Sequence, residues 1–149
     1  MLRWRRSASE DGSASLEFIT VGLVLLVPLV YLVLALSALQ SGSLAVEGAA
    51  RQAARVFVDA EDEKQASDAS ARAVQVALAD YGLTAREVRV TCAPDPRDCL
   101  ASHSVVTVRV QAVVTLPLMP PIIVGDVPAG IPVTSSASQQ VSRFAGGER

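Results

Sequence analysis

The chain has 149 residues, half of them apolar and only 4% aromatic, with a net charge of −2. That length allows one small domain beside any membrane segment. The charge balance, with no long basic run outside the N-terminus, argues against nucleic acid as a partner.

Residues 1–12, M-L-R-W-R-R-S-A-S-E-D-G, carry Arg3, Arg5 and Arg6. Positive charge ahead of an apolar span keeps that end cytoplasmic, so the chain beyond the span is expected outside. No residue from 18 to 46 is charged. As a helix that run is about 43 Å long, at 1.5 Å per residue. Residues 18–39 alone are enough to cross a hydrocarbon core. Pro28 removes one backbone donor and is expected to kink or loosen the helix locally.

The helical pattern continues beyond the apolar run. Val46, Ala49, Ala50, Ala53, Val56 and Phe57 recur at helical spacing on one side, and Glu47, Arg51 and Arg55 on the other. Gly42 and Gly48 weaken a helix but permit close approach of a neighbour. One long helix over 13–58 is therefore expected, apolar all round in its first half and amphipathic in its second.

Residues 59–64, D-A-E-D-E-K, form a charged break. A second helix is expected over 63–81, burying Ala66, Ala69, Ala73, Val76 and Ala77, flanked by Val74, Leu78 and Tyr81, with Gly82 ending it. The period then becomes two. Val88, Val90 and Cys92 alternate with Glu87, Arg89 and Thr91. Val106, Val108, Val110, Ala112, Val114 and Leu116 alternate with Thr107, Arg109, Gln111 and Thr115. These are strands with one buried face. Residues 131–141 supply a third strand, with Ile131, Val133, Ser135, Ala137 and Val141 inward. Between the first two strands, A-P-D-P-R-D is bracketed by Cys92 and Cys99, which suits a hairpin loop closed by a disulfide in an oxidising compartment. Residues 117–132 contain Pro117, Pro120, Pro121, Pro128 and Pro132 and read as an extended apolar loop, either an exposed contact patch or, the favoured reading, a loop packed over a sheet edge. Residues 143–149 read as a fraying tail. The expected fold is α+β: a transmembrane helix prolonged as an amphipathic one, a second helix, and a small antiparallel sheet of about three strands. The expected domains are a cytoplasmic leader over 1–12, the long helix over 13–58, an extracytoplasmic α+β domain over 59–142 and the tail.

No catalytic set is expected. A single His and the absence of G-x-S-x-G, G-x-G-x-x-G or a P-loop leave no triad and no phosphate cradle. Cys92 and Cys99 are not C-x-x-C, and two cysteines with His103 make no metal site, so neither metal nor cofactor is expected. Arg51 and Arg55 read as a solvated helix face.

Glu17 stands apart. A carboxylate at the head of an apolar helix gains from the helix dipole and the orphan N–H groups of the first turn. Deeper in the bilayer it would cost about 2.5–3.5 kcal/mol. Capping explains a tolerated acid, but not the Gly five residues before it where the basic segment ends.

Gly12-Ser13-Ala14-Ser15-Leu16-Glu17, followed by about twenty apolar residues, resembles the class III signal of type IV prepilins and pseudopilins. Within that group, D-G-S-A-S-L-E-F-I-T-V-G-L-V-L-L-V-P-L-V and E-G-A-A-R-Q-A-A-R resemble the TadE-like proteins of tight-adherence (Flp-type) pilus systems. The likeness covers residues 11–57 well and the remainder only in outline. It implies cleavage by a membrane aspartyl prepilin peptidase between Gly12 and Ser13. It also implies that Glu17, fifth in the mature chain, pairs with the new amine of a neighbouring subunit. The implied partners are that peptidase, other pilins and pseudopilins, Tad membrane assembly proteins and the lipid bilayer. Ser13 departs from the Phe or Met that many pilins carry first, which puts N-methylation in doubt. The chain is too long for the major Flp pilin, so a minor pseudopilin or assembly component is implied. Two other readings stand beside it: an uncleaved single-pass anchor for an extracytoplasmic binding domain, and a secreted protein cut after Ser37 in A-L-S. An enzyme is the least favoured.

Overall fold

A computed structural model of the chain describes residues 11–118 and 130–144. Helix α1 covers Asp11–Val58 and α2 covers Glu63–Ala79. Strands β1 (Ala85–Ala93), β2 (Val105–Val114) and β3 (Ile131–Gln140) follow. The expected α+β class holds. The chain divides into two compact units, Met1–Leu36 and Ser37–Arg149. The C-terminal part of α1 thus belongs with the second unit.

In the first unit, α1 stays helical through Pro28. Its large apolar side chains from Leu16 to Leu36 are exposed, Phe18 to 80%. A helix exposing apolar groups all round finds its apolar environment outside its own chain.

In the second unit the same helix buries one stripe: Gly42, Ala45, Val46, Ala49, Ala50, Ala53, Ala54 and Phe57. Val56, expected on that stripe, is only half-buried. Most of these side chains are a single methyl or none, and at Gly42 the helix backbone comes close to the Val114 side chain. Arg51 pairs with Glu47 on the exposed side, the favoured i,i+4 order.

The turn after Val58 hands over to α2 at Asp62, whose Oδ1 accepts the Gln65 N–H at 2.8 Å, an N-cap that satisfies one orphan donor. At the other end Gly82 N–H donates to Ala79 C=O at 2.9 Å and Leu83 N–H to Leu78 C=O at 3.0 Å, with Gly82 at φ +65°. That is the Schellman arrangement, in which a left-handed residue lets the chain satisfy the last carbonyls. The residues that α2 buries are Ala66, Ser70, Val74 and Leu78. Ala69, Ala73 and Ala77 only flank them, while Val76 and Tyr81 are exposed. The expected face was thus rotated. Six alanines distribute apolarity around most of α2, and the two largest buried side chains, Val74 and Leu78, fix the true orientation.

The sheet is an antiparallel meander in the order β1-β2-β3. Central strand β2 alternates as expected: Val106, Val108, Val110, Ala112 and Val114 are buried. The first four share one core with α1 and α2. The edge strands follow the pattern less closely. Val90 and Cys92 pack on the core, but Val88 is 39% exposed and Ile131 40% exposed. A register irregularity between Ala85 and Glu87 lies at the Val88 end of β1, and such bulges bend the strand away from its neighbours. In β3, Val133, Ser135 and Ala137 turn inward, half-buried, and Val141 beyond the strand is buried. The loop expected to cover a sheet edge falls largely on residues outside those described, as do most of the leader and most of the tail.

Candidate functional site

The residues that the sequence singles out fall on the N-terminal turns of α1. Gly12 and Ser13 lie within the helix. Glu17 is in its second turn, exposed, beside exposed Leu16 and Phe18. Thr20 Oγ donates back to the Leu16 carbonyl at 2.7 Å, which turns a polar group inward onto the backbone and leaves the helix surface apolar. Among the described residues α1 is the one helix long and apolar enough to cross a membrane. From Phe18 to Gln40 it rises about 33 Å, close to the roughly 30 Å of a hydrocarbon core. Placed so, Glu17 falls at the interface. What the arrangement offers is a carboxylate, Glu17, immediately before the apolar run of the helix that Asp11 opens, suited to a cation supplied from elsewhere.

Burial begins at Gly42. A Cβ there would overlap the Val114 side chain at the end of β2. Glycine at this point lets helix and sheet converge where the exposed stretch of α1 gives way to the amphipathic one.

Cys92 and Cys99 form the expected disulfide, with Cα atoms 5.3 Å apart. It encloses the Ala93–Pro94 cis peptide. Glu63 Oε1 accepts the Cys99 N–H at 3.1 Å, tying the start of α2 to this loop. His103 is exposed and in a left-handed conformation. Among the described residues no group of His, Cys, Asp and Glu is arranged to hold a metal.

The sheet carries a second constellation, one that the linear sequence does not reveal. On the face turned away from the helices, Arg89 of β1 stands directly opposite Arg109 of β2, and Glu87 opposite Gln111. These four residues line a shallow depression of about 200 Å³. Glu87 Oε1 accepts from Arg89 Nε at 3.1 Å and Nη2 at 2.6 Å. Arg109 is exposed and has no ionic partner among the described residues. Beside it Thr107 and Ser138 share a hydroxyl hydrogen bond of 2.8 Å. Nothing in the alternation of β1 and β2 gives their relative register, so the opposition of the two guanidiniums emerges only from the folded sheet.

No protein-family model matches the chain, and no curated protein or solved structure matches it either.

Proposed function

We propose that this chain is a TadE-like minor pseudopilin, or assembly component, of a tight-adherence type IV pilus. In this reading its N-terminus is cytoplasmic and its C-terminal unit extracytoplasmic. A prepilin peptidase cuts between Gly12 and Ser13, and Glu17 then receives the new amine of a neighbouring subunit in the bilayer. The observation that carries the reading is the placement of Gly12 and Glu17 at the head of a helix whose apolar surface is exposed from Leu16 to Leu36. A carboxylate entering lipid needs a cation, and an amine created at lipid depth needs an anion, so each offsets part of the other's desolvation cost. The disulfide adds support, since such bonds persist outside the reducing cytoplasm.

The test is co-expression with a prepilin peptidase and mass measurement of the mature N-terminus. The expected start is Ser13, lost in Gly12→Ala. An intact Met1 in the presence of active peptidase overturns the reading in favour of an uncleaved anchor, and a start at Ala38 favours a secreted protein. Glu17→Gln is expected to leave cleavage intact and reduce assembly into pili; normal piliation in that variant counts against the pairing role.

A further inference from the structure

The polar face of the sheet has an electrostatic imbalance. Arg89 and Arg109 are cross-strand partners, and like charges directly opposite each other repel. Glu87 is the one carboxylate lining their depression, and it is engaged by Arg89. Arg109, on the central strand, is exposed and makes no ion pair among the described residues. The floor around it is polar and uncharged: Gln111, Thr134, Ser136 and Ser138 are the nearest positions on β2 and β3. Over such a floor the Arg109 guanidinium, with the Glu87-paired Arg89 on the opposite strand, suits a carboxylate, which it can bind through paired N–H donors.

The chain carries a matching acidic element. The turn between α1 and α2 holds Asp59, Glu61, Asp62 and Glu63 in succession around one alanine, all exposed. The Glu63 hydrogen bond to Cys99 brings this turn to the disulfide loop, where Asp95, Arg97 and Asp98 add a net charge of −1 to the same end. The turn joins the two helices, which cover the face of the sheet opposite Arg109. It is therefore placed to meet the arginines of another copy, not those of its own.

We propose that the Arg89–Arg109 face binds the acidic turn at residues 59–63 of a second copy of this chain. The contact joins two different surfaces, so it is heterologous: each pair leaves one arginine face and one acidic turn open, and the association can extend. It is independent of whether the leader is cut, and its test involves no peptidase and no pilus.

The experiment uses the full chain, solubilised in detergent, with the dissociation constant of self-association measured by sedimentation equilibrium. One variant reverses the face (Arg89→Glu with Arg109→Glu). A second reverses the turn (Asp59→Lys with Glu61→Lys), leaving the Asp62 cap and the Glu63 hydrogen bond in place. Helix α1 up to Val58 is the same in every chain, so differences arise outside it. At low salt each variant alone is expected to associate at least about tenfold more weakly than the parent, because like charges now meet. An equimolar mixture restores the parental affinity to within about threefold, since face-reversed and turn-reversed copies complement each other at both surfaces. Salt at about 0.5 M is expected to weaken the parental association. Far-ultraviolet circular dichroism and the thermal midpoint identify any variant that has lost its fold, and Arg109→Gln then serves in place of the face reversal with a smaller expected loss. A monomeric parent, variants that associate as the parent does, or a mixture that stays dissociated overturns the proposal.

Discussion

Gly42 and Gly48 occupy the same helix in opposite surroundings. A Cβ on Gly42 would overlap Val114, while one on Gly48 would meet nothing within 4 Å. Alanine gains about 1 kcal/mol over glycine in a helix interior. At Gly42 that gain is outweighed, because Val114 is β-branched and buried and cannot swing aside. Gly42→Ala should therefore lower the unfolding free energy by about 1–2 kcal/mol, and Gly48→Ala should raise it by about 0.5–1 kcal/mol. Urea unfolding in detergent, followed by circular dichroism, measures both. Ser70 offers the converse case. Its Oγ is buried with no hydrogen-bond partner among the described residues, so Ser70→Ala removes an unsatisfied group and improves helix propensity, a gain of about 1 kcal/mol by the same measurement. The sequence marks Gly42 as a place of close approach but gives no sign that Ser70 is interior, since a serine on an alanine-rich helix reads as solvent-facing.

Among the elements, β2 was the most legible. Its five inward apolar residues admit one orientation, and slipping the strand by one position would bury Thr107, Arg109 and Gln111 instead. Helix α2 was less so, because alanine contributes too little contrast to orient a face and Val74 and Leu78 decide it only once the sheet is present. The edge strands depart from their period where a bulge or a missing neighbour relaxes the demand for burial, as at Val88 and Ile131. The β1–β2 connection was legible through Cys92 and Cys99. Replacing both with serine should lower the unfolding free energy by about 2–3 kcal/mol, the amount expected for cross-linking so short a loop. Comparing the double variant with the oxidised parent in urea checks this, and the reduced parent should behave as the variant does.

Taken whole, the molecule keeps its core to one part. Every residue of the buried cluster lies between Ala45 and Val141, and the exposed apolar stretch of α1 contributes none of it. A fragment of residues 37–149 should therefore fold without detergent, form the Cys92–Cys99 bond and unfold within about 0.5 kcal/mol of the parent, as urea titration would measure. The membrane-capable segment and Glu17 were legible because charge and hydropathy are properties of composition. The Arg89–Arg109 opposition was not, because it depends on a pairing register set by the length of the connection between the strands, and that register runs unbroken from Ala93–Val105 to Glu87–Gln111. The lie of α1 against β2 also has a mechanical meaning. Gly42 meets the end of β2 at Val114, and beyond the other end of the helix Glu63 meets Cys99, shortly before β2 begins. A pull on α1 at Gly42, directed along the sheet's central strand, would be resisted by the whole stripe from Gly42 to Phe57 at once, in shear. A pull on β3, an edge strand, would instead open its ladder to β2 one bond after another, so the direction of the load decides which part yields first.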